Sequence, residues 1–93
     1  MVIGSLFVRL RLYESDSLKA RRSVALSVKR RLRNRFNVAV AELGPHDDHR
    51  SVSLGVTTVG SDRALVVSEL QKAADFLDGD VRFEVVERDL SSF

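Results

Sequence analysis

Basic side chains are concentrated in one short segment of this 93-residue chain. Residues 19–35 contain eight Lys or Arg and no Asp or Glu. On a helical wheel, five of these cations share an arc of about 100°. We call this set the basic stripe: Lys19, Arg22, Lys29, Arg30 and Arg33. Because guanidinium and ammonium groups in such an array attract phosphates or carboxylates, the pattern predicts a surface for a polyanion.

Three interpretations of the basic stripe remain open from the residues alone. Acids of the second half of the chain, such as Glu69 or Asp75, or the C-terminal helix dipole, would neutralise it within the fold. An RNA backbone would bind it, with the arginines as forked phosphate donors. An acidic protein partner would bind it in the same way. Our leading hypothesis is a non-catalytic protein that binds RNA or the ribosome through the stripe, without reading bases.

Composition indicates one folded domain over residues 1–93. Hydrophobic residues make up 44% and charged residues 30% of the chain. The net charge is only +2, but residues 1–41 carry +8 and residues 42–93 carry −6. The absence of cysteine excludes disulfides and thiol catalysis, and it fits a reducing compartment, so we expect a cytoplasmic protein. The first residues reach Arg9 before an apolar stretch long enough for a signal peptide or membrane span, so no membrane association is expected.

The spacing of apolar residues predicts the elements that position the stripe. Alternation with period two indicates strands, and recurrence every three to four residues indicates helices. The predicted order is β-α-β-β-α-β, with strands at about 2–12, 37–43, 51–59 and 80–90 and helices at about 18–35 and from 61–62 to 78. Two split β-α-β crossovers favour a ferredoxin-like plait: a four-stranded antiparallel sheet, helices on one face, and strands one and three central.

Several residues are assigned to the ends and faces of these elements. Candidate N-caps are Ser15, Asp16 or Ser17 for the first helix and Ser61 or Asp62 for the second. Gly79 is predicted to end the second helix in the left-handed conformation. On the last strand, Val81, Phe83 and Val85 are predicted to face the core.

Other candidate sites are weaker. The uncovered sheet face offers Phe7 as its aromatic, which is a poor match to the stacked aromatics of an RNA-recognition motif. Two imidazoles and two carboxylates could bind a divalent ion, but we interpret them as a solvated loop with no metal: His46, Asp47, Asp48 and His49. No Gly-rich phosphate loop or pair of nucleophile and base is present, and the loop after the first strand holds Glu14 and Asp16. We therefore expect no enzyme, cofactor or small-molecule substrate.

A homodimer without a nucleic-acid partner is the alternative function. In the predicted topology the second strand is an edge whose only charged guard is Glu42. The other edge is guarded by four charged residues: Arg82, Glu84, Glu87 and Arg88. Strand pairing at residues 38–43, or burial of Ile3, Phe7 and Leu43, would produce a symmetric structural or regulatory dimer.

The chain also resembles the YlxP-like family of small bacterial proteins of unknown function. The resemblance lies in Ser17–Lys19 with Arg21 and Arg22, in residues 35–42, and in residues 54–56 and 59–62. It implies a ferredoxin-like plait and a cytoplasmic bacterial protein. Because relatives are often encoded near translation-initiation and ribosome-maturation factors, it also favours association with RNA or the ribosome.

Overall fold

The computed structural model describes residues 1–44 and 48–93 and contains one four-stranded sheet with two helices. The elements are β1 (Val2–Leu12), α1 (Leu18–Arg35), β2 (Ala39–Leu43), β3 (Ser51–Gly60), α2 (Arg63–Asp78) and β4 (Phe83–Ser92). All strand pairs are antiparallel, in the order β2-β3-β1-β4. The predicted ferredoxin-like plait is confirmed, with β1 and β3 central and β2 and β4 at the edges.

The core lies between the helices and one face of the sheet. Even-numbered residues of β1, from Leu6 to Leu12, are buried, as period-two alternation predicts. Ala25, Val28 and Leu32 of α1 pack into the same core. Gly4 allows α2 to approach β1, because a Cβ there would lie 2.5 Å from Val66 Cγ1. No element of the described residues covers the opposite sheet face, and we call it the open sheet face.

Both helices begin at predicted caps. Ser17 Oγ accepts a hydrogen bond from the backbone N–H of Ala20 at 3.1 Å, and an Asp62 carboxylate oxygen accepts from that of Ala64 at 2.8 Å. The predicted conformation of Gly79 is wrong, because its φ of −83° and ψ of −2° are right-handed helical. The chain leaves α2 through a tight turn in which the Asp80 N–H donates to Leu77 O, so no positive φ is required.

The last strand begins three residues later than predicted. Val81, expected to face the core, is 89% exposed, whereas Phe83 is buried. The reason is a turn in which one Asp80 carboxylate oxygen accepts from the N–H and the Nε of Arg82, at 2.9 and 3.0 Å. Further along, the pairing of β1 with β4 shifts register, which leaves Val86 as an extra residue on β4.

Candidate nucleic-acid interface

The sequence of α1 determines which of its residues face the solvent. The apolar positions Ala25, Val28 and Leu32 attach the helix to the sheet, so the opposite arc points outward. Four residues of the basic stripe are exposed and Lys29 is half-buried. The basic stripe therefore lies on the outward side of α1, near both of its ends.

Most of the stripe is not neutralised by neighbouring acids. No ion pair joins Lys19, Arg22, Lys29 or Arg30 to a carboxylate within residues 1–44 and 48–93. The two acids named as neutralising partners bind other groups. Glu69 accepts from the backbone N–H of Asn37 at 3.1 Å. Asp75 pairs with Arg88 of β4 at 3.4 Å.

Arg33, the fifth residue of the stripe, has a structural contact. Its Nη2 donates to Val40 O of β2 at 3.0 Å. Because β2 is an edge strand, this bond occupies a backbone carbonyl that an additional strand would require. The carboxylate of Glu42, the charged residue of this edge, binds Arg21 of α1 at 2.9 Å. Arg33 also lies in the last turn of α1, where the helix dipole stabilises cations.

Two further arginines of α1 bind the neighbouring helix. The guanidinium carbons of Arg31 and Arg35 lie 5.2 and 5.1 Å from the centroid of the Phe76 ring on α2. Phe36 meets the same ring edge-on, with centroids 5.7 Å apart. Arg31 also reaches Asp80 at 3.4 Å. These contacts tie Arg31 and Arg35 to α2 and to the turn that follows it, while both residues remain exposed.

Arg21 is a buried ionic contact that the sequence analysis missed. Its side chain is 2% exposed, its Nε donates to Ser51 O and its Nη2 to Glu42, both at 2.9 Å. The bond joins α1 to β2 and β3. The helical wheel indicates that Arg21 faces the core, because it lies about 200° from Lys19, inside the arc of the apolar positions.

The open sheet face differs from an RNA-recognition motif. Phe7 lies in register with Gly55 of β3 on one side and Asp89 of β4 on the other. Two residues further along β1, on the same face, Arg9 pairs with Glu87 at 2.8 Å. Because neither register neighbour of Phe7 is aromatic, the central strands do not provide the stacked aromatic platform of that motif.

A cleft of about 570 Å³ lies at the end of β1, beside the start of α1. Tyr13, Glu14, Val24, Val81 and Arg82 contribute to its lining. The guanidinium of Arg82 donates two further hydrogen bonds. Its Nη2 donates to the Asp80 carboxylate at 2.7 Å, and its Nη1 donates to the hydroxyl oxygen of Ser27 at 3.1 Å. These contacts lower the pKa of the Asp80 carboxyl and raise that of Arg82. Arg82, the one cation among the described lining residues, is thus committed to the fold, and Glu14 would repel an anionic substrate.

The histidine loop is described only in part. His46 and Asp47, two of the four residues considered as metal ligands, lie outside the described residues. Among those that are described, no three His, Cys, Asp or Glu are grouped so as to hold a metal ion. In the same part of the chain, neither helix is both long and apolar enough to cross a membrane.

Fold and surface together define a small α+β plait whose principal charged feature is one face of its first helix. Residues 3–90 match the family described as "Protein of unknown function (DUF503)", and the chain belongs to this family. It is also 34% identical over 80 residues to the "Uncharacterized protein YlxP" of Bacillus subtilis (strain 168). That alignment covers 86% of this chain and 84% of the relative. The family resemblance noted in the sequence is confirmed.

Proposed function

We propose that this protein is a non-catalytic binding protein for RNA, either free or in the ribosome, and that the basic stripe is its contact surface. One observation supports the proposal: three exposed cations and the half-buried Lys29 share one helix face, and none of the four makes an ion pair with a described carboxylate. Such an array is costly unless something outside the helix compensates it, because like charges along a helix repel. Phosphates of an RNA backbone would supply that compensation.

The chemistry of the stripe suits phosphate. Arg22 and Arg30 present planar forks that can bind a phosphate through two hydrogen bonds, and Lys19 and Lys29 add compact charges. Contacts of this kind orient a protein on an RNA without selecting a sequence. The cytoplasm is the expected compartment, since RNA and ribosomes are found there and the chain contains no cysteine.

Titration of a labelled RNA hairpin at several salt concentrations tests the proposal. With three to five phosphates engaged, log affinity should fall with log salt at a slope of about −2 to −4. The double variant Arg22→Glu, Arg30→Glu should make that slope shallower by roughly 1.4, because two phosphate contacts are lost. The matched control is Arg63→Glu, Lys72→Glu on α2, which changes the net charge by the same amount.

The outcomes separate a specific surface from general attraction. If the stripe variant loses affinity while the α2 control keeps it, the contact surface is the stripe. Equal losses in the two variants would mean that only net charge matters and would contradict the proposal. A parent protein whose binding does not respond to salt would contradict it as well.

A second candidate function, a homodimer, is favoured by the open sheet face. Ile3, Leu43 and Val86 on this face are 38%, 40% and 45% exposed, and no described element covers them. Burying them against a second copy would remove apolar surface from water. The contact of Arg33 with Val40 disfavours strand addition at β2, so packing of the two open faces is the better geometry.

Light scattering tests this second candidate. The parent protein should show twice its chain mass, and Leu43→Lys should shift it toward the monomer, since a cation would be buried in the interface. Leu65→Lys, on the exposed side of α2, is the matched control and should leave the mass unchanged. A monomeric parent across the accessible concentration range would end this candidate.

A further inference from the structure

We infer that the basic stripe binds double-stranded, A-form RNA in preference to single strands and to duplex DNA. The inference rests on the proposed function and names the substrate class of the same surface. Three features of α1 carry it: the spacing of the cations, the short neutral centre between them, and the lack of an aromatic residue.

The cations form two groups with a gap between them. Lys19 and Arg22 lie near the start of α1, and the other three lie toward its end. Arg22 and Lys29 are about 10 Å apart along the axis, at a rise of about 1.5 Å per residue. A surface with charge at both ends and none in the middle fits two backbones that flank a groove, rather than one continuous strand.

Single-stranded RNA calls for a surface that α1 does not present. Proteins that bind single strands stack the bases on aromatic side chains along a cationic groove. The sequence of α1 contains no aromatic residue. At its C-cap, Phe36 packs against Phe76, and the guanidinium groups of Arg31 and Arg35 cover the Phe76 ring. No base platform therefore borders the basic stripe in the described chain.

The centre of the stripe suits a shallow groove. Between the two cation groups, the outward residues are Ser23 and Leu26, and Leu26 is 49% exposed. The major groove of B-form DNA is about 8.5 Å deep, and its base edges are read mainly by hydrogen-bonding side chains such as Arg, Lys, Asn and Gln. The two outward residues at the centre of α1 include none of these four types. The minor groove of A-form RNA is wide and shallow and displays 2′-hydroxyls, which a serine hydroxyl and an apolar methyl group can contact.

A comparison of three nucleic acids of one length and sequence tests the inference. The protein is titrated with an RNA duplex, the corresponding single-stranded RNA and the corresponding DNA duplex at one fixed salt concentration. We expect the RNA duplex to bind about tenfold more tightly than either competitor, since only it presents both the groove and the 2′-hydroxyls.

A substitution at the centre of the stripe provides the second arm. Leu26→Glu places a carboxylate between the two backbones and should weaken RNA-duplex binding by about tenfold, through repulsion of the phosphates. Leu65→Glu on α2 makes the same charge change at a residue that is 70% exposed and should have no effect. Circular dichroism of both variants verifies that the fold is retained.

The outcomes distinguish failure of the inference from failure of the proposed function. Equal binding of single-stranded and duplex RNA, still lost in Arg22→Glu, Arg30→Glu, overturns the preference for duplexes and leaves RNA binding intact. Equal binding of DNA and RNA duplexes, or full affinity in Leu26→Glu, overturns the groove contact in the same way. Absence of binding to all three nucleic acids contradicts the proposed function itself.

Discussion

Replacing Arg21 by methionine should destabilise the protein strongly while leaving the basic stripe unchanged. The side chain is 2% exposed and makes two hydrogen bonds of 2.9 Å, to Ser51 O and to the Glu42 carboxylate. Removing one partner of a buried ion pair costs about 3–5 kcal/mol. Methionine retains most of the aliphatic volume, so we take the lower end, about 3 kcal/mol. For a domain of this size, that corresponds to a fall in Tm of roughly 12–24 °C.

Urea unfolding followed by far-UV circular dichroism measures this loss, since the chain has no tryptophan to report by fluorescence. Arg22→Met is the matched control on the neighbouring residue. Arg22 is exposed and makes no described ion pair, so its substitution should change the free energy of unfolding by less than about 0.5 kcal/mol.

RNA binding should show the reverse of the stability pattern: the substitution that destabilises the fold should leave binding unchanged, and the substitution that leaves stability unchanged should weaken binding. Measured below its Tm, Arg21→Met should keep the salt slope of the parent, whereas Arg22→Met should make the slope shallower by roughly 0.7. The reasoning is refuted if Arg21→Met and Arg22→Met have equal stabilities. It is also refuted if Arg21→Met reduces the salt slope as much as Arg22→Met does.

Two further predictions concern single contacts. The hydrogen bonds from Arg82 lower the pKa of the Asp80 carboxyl from its ordinary value of 3.8, so this carboxylate contributes stability that is fully present above 3.8 and is lost as pH falls through the lower folded value. Melting curves should therefore show Asp80→Asn less stable than the parent at neutral pH and the two converging in acid, and a constant difference down to pH 2 would contradict this. Gly4→Ala should cost about 1–3 kcal/mol in urea unfolding, because the new Cβ would lie 2.5 Å from Val66 and 2.7 Å from Leu70, and an unchanged midpoint would show that α2 can move away.

Periodicity predicted the fold well because burial of one face repeats with the geometry of each element. The strand from Val2 to Leu12 was confirmed to the residue, and Ser17 proved to be the cap among the three candidates Ser15, Asp16 and Ser17. The errors fall where the chain changes direction. Val81 was assigned to the core by extending an alternating pattern backwards, but the hydrogen bonds of Asp80 hold that segment in a turn.

The candidate site was predictable to a lesser degree. Outward orientation of the basic stripe follows from the apolar face of α1 and required no tertiary information. The separate roles of the remaining cations did not follow. Arg21 binds Glu42, which is 21 residues away along the chain. Arg33 binds the backbone oxygen of Val40, and the sequence cannot indicate this acceptor because every residue has a backbone oxygen.

By itself, the sequence determined the order of elements, the side of α1 that faces solvent and the separation of positive and negative charge between the two halves of the chain. These are local properties, because hydropathy and charge at neighbouring positions specify them. Only the tertiary structure decided which basic residues bind other parts of the fold and which make no ion pair with a described carboxylate. That distinction depends on acids and carbonyls brought together from distant segments, and a charge is neutralised by its neighbours in space, not by its neighbours along the chain.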